Sequence, residues 1–280
     1  MISVTSLSDY LYCKRKLYLQ SVLEFKEPPK EVMVLGYIRH EVHDKINKSE
    51  ESIIKSLKKR HSLDSLREIY KREHSRLLRN TILCNKNSLK QVNLSVLDVF
   101  KKAWPVILDE GETRAQNIFK FIEKNDIYGD ELWEALFPKI QSEFRISSER
   151  LQLKGIIDQI EIYKDGYVPV EIKTGKCPKE GVWPGHKVQI GAYALLIEDS
   201  LKKEVKEGFV NYIELKERRH ISINPFLKEE ILDIRDKVIA MKKAKALPEF
   251  CGNELKCSAC GLKDYCYDEK SLLEKLQILT

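Results

Sequence analysis

Apolar positions recur at helical spacing near the start of the chain. In "TSLSDYLYCKRKLYL" (5–19), Leu7, Leu11, Leu17 and Tyr18 form one stripe, and Ser6 with Asp9 fits a capping box, so the pattern predicts a helix. "KEPPK" (26–30) interrupts it, and a second helix is predicted over 32–46, carrying His40 and His43. Residues 47–145 read as a long helical region with Pro105 and Pro138 as its only prolines. From 150 the period shortens to two. "LQLKGIIDQIEIY" and "YVPVEIKTG" read as strands joined by the turn signal "KDG" (164–166), hence a hairpin. An amphipathic helix follows over 186–201, then a strand pair, "EGFVNYIEL" and "RHISINPF", around the charged turn "KERR". A helix over 227–247, a cysteine cluster and a short C-terminal helix complete the pattern.

Composition narrows the class. A chain of 280 residues, 42% apolar, can build one large core or two modest ones. The net charge of +6 permits an anionic partner without requiring one. Residues 55–90 hold 11 Lys/Arg against 3 Asp/Glu, a pattern shared by solvated helix faces and phosphate-facing surfaces. No apolar run approaches ~18 residues and no signal-peptide pattern is read, so a cytoplasmic protein without a membrane span is expected. Seven cysteines in a reducing compartment point away from a disulfide framework. Three of them form "CSACGLKDYC", a C-x2-C-x5-C spacing that suits a metal, zinc or iron–sulfur alike.

The strand "VPVEIKTGK" (168–176) places Glu171 and Lys173 on one face. With Asp165 and Gly166 as a two-residue loop, Asp158 pairs with Lys173 and shares that face. An exposed salt-bridged hairpin would carry the same residue types. Asp158, however, lies within "GIIDQIEI", where an unpaired acid is costly. Two carboxylates that meet inside a sheet repel unless a cation lies between them, and a hard ion such as Mn²⁺ or Mg²⁺ suits oxygen donors. Beside such an ion a lysine can orient or help deprotonate water, which is the chemistry of phosphodiester hydrolysis. Gln189 and Tyr193, four apart, share one helix face. His40 is a candidate ligand and His43 a competitor for its place. Lys14, Arg15 and Lys16 could face phosphates, and Trp183, in a Gly/Pro loop, could stack on a base.

The order Gly36/His40 ("GxxxH"), Asp158 ("GIID"), Glu171 and Lys173 ("EIKTG"), Gln189 and Tyr193 ("QIGAY") resembles the RecB-like nucleases of the PD-(D/E)xK superfamily. The cysteine in "YCKRKLYL" and the three near the C-terminus resemble its iron–sulfur branch, which includes the CRISPR-associated RecB-family exonucleases of spacer acquisition. The resemblance covers 3–46 and 150–268. It implies an α/β fold with a restriction-endonuclease-like core: a mixed central sheet flanked by helices, built from 1–46 and 146–248. Residues 47–145 would be a large helical insertion and 249–280 an iron–sulfur segment tied back to Cys13. It further implies a metal-dependent DNA exonuclease acting on single-stranded ends in CRISPR adaptation, alongside the integrase complex. A stand-alone repair nuclease and a non-catalytic DNA-binding module are the alternatives on the same fold. His40, Asp158, Glu171 and the carbonyl of Ile172 would hold Mn²⁺ or Mg²⁺. Lys173 would be the catalytic lysine, supported by Gln189 and Tyr193. Cys13, Cys257, Cys260 and Cys266 would hold the cluster, 4Fe–4S in preference to 2Fe–2S. Cys251 lies close to this set, whereas Cys84 and Cys177 have no assigned role.

Overall fold

The computed structural model describes residues 1–244 and 246–278. A six-stranded mixed sheet forms the centre: β1 (Ile2–Ser3), β2 (Lys139–Ser148), β3 (Leu153–Ile162), β4 (Tyr167–Lys173), β5 (Glu207–Tyr212) and β6 (Glu217–Ser222). The strand order is β1-β3-β4-β5-β6, with β2 on the other side of β3. β4 and β5 are parallel, and their crossover is α8 (Pro184–Leu201). Residues 188–197 of α8 are all buried, so this helix is covered on every side and not amphipathic as expected, lying between the sheet and α9 (Pro225–Lys243).

The first expected helix is two. α1 (Val4–Tyr12) starts at Ser3, whose hydroxyl accepts from Ser6 N, so Ser3 is the cap and not the Ser6/Asp9 pair. The chain then opens at Cys13, with φ −163° and ψ 110°, before α2 (Lys14–Ser21). The Cys13 thiol accepts from Lys16 N at 3.3 Å, doing the work of a cap at the start of α2. The second expected helix is longer than its apolar stripe, since α3 runs over Glu31–Ser56. It leads into α4 (Leu63–Cys84), α5 (Lys86–Gln91), α6 (Val96–Asn125) and α7 (Gly129–Ala135). These helices bury two apolar clusters of their own, one around Ile46 and Leu78, one around Tyr70 and Ile118.

Four further elements depart from the expected pattern. The helical stretch does not reach 145, because β2 already occupies Lys139–Ser148 and pairs antiparallel with β3 at every position but Glu143. The hairpin register differs by two: Ile162 pairs with Tyr167 and Gln159 with Val170, which puts Asp158 across from Glu171 and not from Lys173. A slip of two preserves faces, so Asp158, Glu171 and Lys173 stay on one side. The turn between β5 and β6 lies at 213–216, before most of "KERR". Of the helix expected over 227–247, α9 covers the part to Lys243, and residue 245 lies outside the described residues.

The C-terminal segment holds α10 (Glu254–Ser258), α11 (Lys263–Tyr267) and α12 (Glu269–Ile278). It packs on the N-terminal helices through Tyr18, Leu19, Leu23, Leu262 and Leu272. Among the described residues no helix is long and apolar enough to cross a membrane.

Candidate active site

β3 has an incomplete edge. On one side β1 pairs with it only at 153–154 and β4 only at 159–162, so residues 155–158 face a gap in the sheet. A backbone carbonyl left in such a gap needs a donor, and Tyr193 supplies it: its hydroxyl donates to Ile156 O at 2.9 Å. The ring passes so close to Gly155 that a Cβ there would meet Tyr193 Cε1 at 2.8 Å. Burial pushes the Tyr193 hydroxyl well above its ordinary pKa, so it stays a neutral donor.

The gap also admits the Asp158 side chain. Its Oδ2 accepts from Ile172 N at 2.8 Å, replacing the ladder bond that would have joined β3 to β4. Its Oδ1 lies 3.4 Å from His40 Nδ1 on α3. Across from it, Glu171 is 4% exposed. Glu171 Oε1 accepts from Lys173 Nζ at 2.7 Å and from Gln189 Nε2 at 3.1 Å. Its other oxygen, Oε2, is buried and has no hydrogen-bond partner among the described residues. Burial, followed by the nearby Asp158 charge, pushes Glu171 up to about 7, against the pull of Lys173. At His40 burial opposes the charge, but Asp158 outweighs it and the pKa is raised.

The structure thus brings together His40, Asp158, Glu171, Lys173 and Gln189, from α3, β3, β4 and α8. Gln189 and Tyr193 lie one turn apart on α8 and clasp β4 and β3 respectively. Both are buried, so they act through the strands they hold. Ile172 meets Asp158 through its amide.

His43 is not a competitor. It is buried with its Nδ1 3.0 Å from Glu110 Oε2, inside a polar cluster in which Arg114 pairs with Glu50 and Glu110, both at 2.6 Å. On the same helix Asn47 donates to Ser142 Oγ on β2 at 2.6 Å. The helices between α3 and β2 therefore fix the axial position of α3, and with it His40. Much of the basic run at 55–90 is spent on ion pairs, including Arg67 with Glu112 and Asp64, Arg76 with Glu73, and Lys58 with Asp130. That favours the solvated-face reading of the run.

Glu143 was not singled out by the pattern. One carboxylate oxygen of Glu143, one of Asp158 and one ring nitrogen of His40 lie within 4.8 Å of one another. The usable signal was the alternation of Ile140, Phe144 and Ile146 with Glu143 and Arg145, hidden because the stretch follows so much helix.

The donor chemistry suits a hard divalent cation. Two carboxylates and an imidazole converge, and a buried carboxylate oxygen is left over beside them.

The cysteines gather elsewhere. Cys13, Cys251, Cys257, Cys260 and Cys266 line one pocket between α2 and the C-terminal segment. Cys251 Sγ lies 3.2 Å from Cys257 Sγ, so the thiol set has five members where four were expected. Hydrogen bonding with the Asn253 backbone and then with Cys257 lowers the Cys251 pKa, whereas Cys13 is raised by burial. A cluster of soft sulfur donors fits iron–sulfur or zinc. Arg15 was expected at a phosphate-facing surface and is not there. It is 7% exposed, and its guanidinium donates to Pro248 O at 2.8 Å and to Cys266 Sγ at 3.2 Å. Lys16 is likewise drawn inward, to Glu27 at 2.9 Å. Lys14 and Trp183 remain exposed. Cys84 is exposed and Cys177 half-buried, both away from the cysteine pocket.

A family model described as "PD-(D/E)XK nuclease superfamily" matches residues 1–267. A "CRISPR-associated exonuclease Cas4/endonuclease Cas1 fusion" of Leptospira interrogans is 28% identical over 154 residues, 51% of this chain and 28% of that protein. A "CRISPR-associated exonuclease Cas4" of Francisella tularensis subsp. novicida is 30% identical over 124 residues, 44% of this chain and 60% of that protein. The mouse "DNA replication ATP-dependent helicase/nuclease DNA2" is 24% identical over 294 residues, 93% of this chain and 26% of that protein. Each match thus spans under two thirds of the relative's own length.

Proposed function

The chain belongs to the PD-(D/E)XK nuclease superfamily, and from that premise we propose that it is a divalent-metal-dependent deoxyribonuclease that trims single-stranded DNA ends during CRISPR adaptation. The observation that carries the hydrolytic part is Glu171 Oε2, a buried carboxylate oxygen without a hydrogen-bond partner among the described residues, next to Asp158 and Lys173. His40, Asp158 and Glu171 would hold Mn²⁺ or Mg²⁺, with the Ile172 carbonyl as a further donor. The chemistry such an ion supplies is charge neutralisation at a phosphate oxygen and a more acidic bound water.

The chain's own groups have definable tasks. Ile172 N anchors one oxygen of Asp158 and leaves the other toward His40. Gln189 and Lys173 both hold Glu171 Oε1, which turns Oε2 into the free donor. The Lys173 ammonium, half-buried at the end of β4, is the group that would orient a water by donating a hydrogen bond to it. A cleft of about 520 Å³ continues the same sheet face, lined by Ser3, Thr5, Arg145, Ser147 and Lys154. Cations interleaved with hydroxyls suit a phosphodiester backbone, so this cleft is the proposed path of the strand.

The Cas4 and Cas4/Cas1 names of the relatives support the CRISPR role and an integrase partner. A second reading, DNA processing outside CRISPR, is favoured by the length of the DNA2 match, which includes the helical region that precedes β2. We also propose that Cys13, Cys257, Cys260 and Cys266 hold a 4Fe–4S cluster, with Cys251 the alternative ligand because of its contact with Cys257.

The test is degradation of end-labelled single-stranded DNA in Mn²⁺ by anaerobically purified protein, alongside duplex and flapped DNA. Loss of label from the parent, but not from a folded Asp158→Ala variant, supports the reading. A folded parent inert on all three substrates would falsify it and leave a DNA-binding module. Binding to the Cas1-type integrase separates the CRISPR role from the second reading.

A further inference from the structure

Glu143 and Asp158 stand opposite one another on antiparallel strands. Bridges join β2 and β3 at Lys139/Ile162 through Ser142/Gln159, and again from Phe144/Ile157 to Ser148/Leu153. The step between them, Glu143 and Asp158, carries none. Glu143 also has φ 50°, a left-handed backbone that a residue with a Cβ adopts at a cost. Like charges facing each other across a ladder are destabilising. Here His40 lies within 4.8 Å of both, and Glu171, across from Asp158 on β4, has an Oε2 without a hydrogen-bond partner among the described residues. A structure that opens its ladder to bring two carboxylates and an imidazole together is one that a cation would stabilise.

We propose that Glu143 is a ligand of the divalent ion, on the β2 side of Asp158, so that the centre draws on α3, β2, β3 and β4. The proposal rests on the metal-dependent reading above. Its consequence is a centre with three carboxylates, which suits Mn²⁺ or Mg²⁺ and disfavours softer ions that want sulfur or additional nitrogen. Glu143 is also the exposed member of the set, whereas Glu171 is buried, so the ion would be reached from the β2 side, where the Arg145/Lys154 cleft lies on the same face.

The test is Mn²⁺ binding by the full chain, followed by calorimetry and by the electron paramagnetic resonance of bound Mn²⁺, without DNA. Glu143→Gln keeps size and shape and removes the charge. It is expected to weaken Mn²⁺ binding at least ten-fold and to shrink the Mn²⁺-induced rise in melting temperature. Its metal-free melting temperature should equal or exceed that of the parent, since the opposed charges are relieved. A purely structural role would instead lower that temperature and leave Mn²⁺ affinity unchanged. Glu149→Gln, an exposed acid beyond the end of β2, serves as the control. Unchanged Mn²⁺ affinity in Glu143→Gln, with Asp158→Asn losing it, overturns the proposal and leaves the metal-dependent reading intact. A parent that binds no Mn²⁺ overturns both.

Discussion

Tyr193 donates to the carbonyl of Ile156 across the gap where β3 has neither β1 nor β4 beside it. One turn earlier on α8, Gln189 donates to Glu171 on β4. A single helix face thus holds the two strands that carry Asp158 and Glu171. Tyr193→Phe should cost about 1 kcal/mol, because it removes the donor to a part-buried carbonyl while keeping the ring. Urea unfolding of the two proteins measures this. An unchanged midpoint would mean that water replaces the hydroxyl.

Lys173 and Asp158 separate chemistry from ion binding. Lys173→Ala is expected to lower single-turnover cleavage by roughly 10²–10⁴-fold while leaving Mn²⁺ binding in place. Asp158→Ala should abolish both. If Lys173→Ala cleaved at the parent rate, the lysine would be only a partner that keeps Glu171 ionised.

Without a divalent ion, stability should fall as pH rises. Glu171 has its folded pKa raised from 4.5 to about 7, so between these values the folded chain holds a proton that the unfolded chain has lost. His40, raised by Asp158, contributes stability below 6.5 that is lost as pH passes its folded value, which has the same sign. Melting temperatures in a chelator between pH 5 and 8 should therefore decline. The decline should be shallower in Glu171→Gln, and added Mn²⁺ should reverse it in the parent. A parent profile that is flat or rising over this range would contradict the assignment.

Glu27 should have the opposite signature. Burial raises its pKa, but Lys16 at 2.9 Å, Lys30 at 3.0 Å and the Gly261 amide at 2.9 Å lower it to about 2. Its contribution is present above 4.5 and lost as pH falls toward about 2. Glu27 joins the N-terminal helices to the cysteine segment, so Glu27→Gln should loosen that segment by about 1–3 kcal/mol. Limited proteolysis after residue 244 reads the loosening, and equal cleavage of parent and variant would show that the apolar contacts of Leu23, Leu262 and Leu272 suffice.

Arg114 is half-buried between Glu50 and Glu110, and Glu110 in turn meets His43. Arg114→Ala leaves two half-buried acids without that cation and should cost about 1–3 kcal/mol. If the variant folds, its Mn²⁺ affinity should fall as well, because α3 and His40 lose their anchor. Undiminished affinity in a destabilised variant would uncouple the helical region from the centre.

The sequence by itself determined the alternation that puts Glu171 and Lys173 on one face, the helical stripe that pairs Gln189 with Tyr193, and the clustering of thiols at 257–266. These are local patterns, since side-chain direction follows from a period of 2 or 3.6 residues within one element. The hairpin register came out two residues away from the loop-based expectation, yet the face survived because an even slip preserves it. Tertiary structure alone decided what depends on distant partners. Glu143 reaches Asp158 only through the pairing of β2 with β3. Arg15 turned inward because Pro248 and Cys266 offered it acceptors 233 and 251 residues away. His43 lost the competition with His40 to Glu110 on another helix. Cys251 entered the thiol group by the path of the chain between α9 and α10. Such contacts leave no period in the sequence, because they are set by which surfaces bury best against one another once the elements exist.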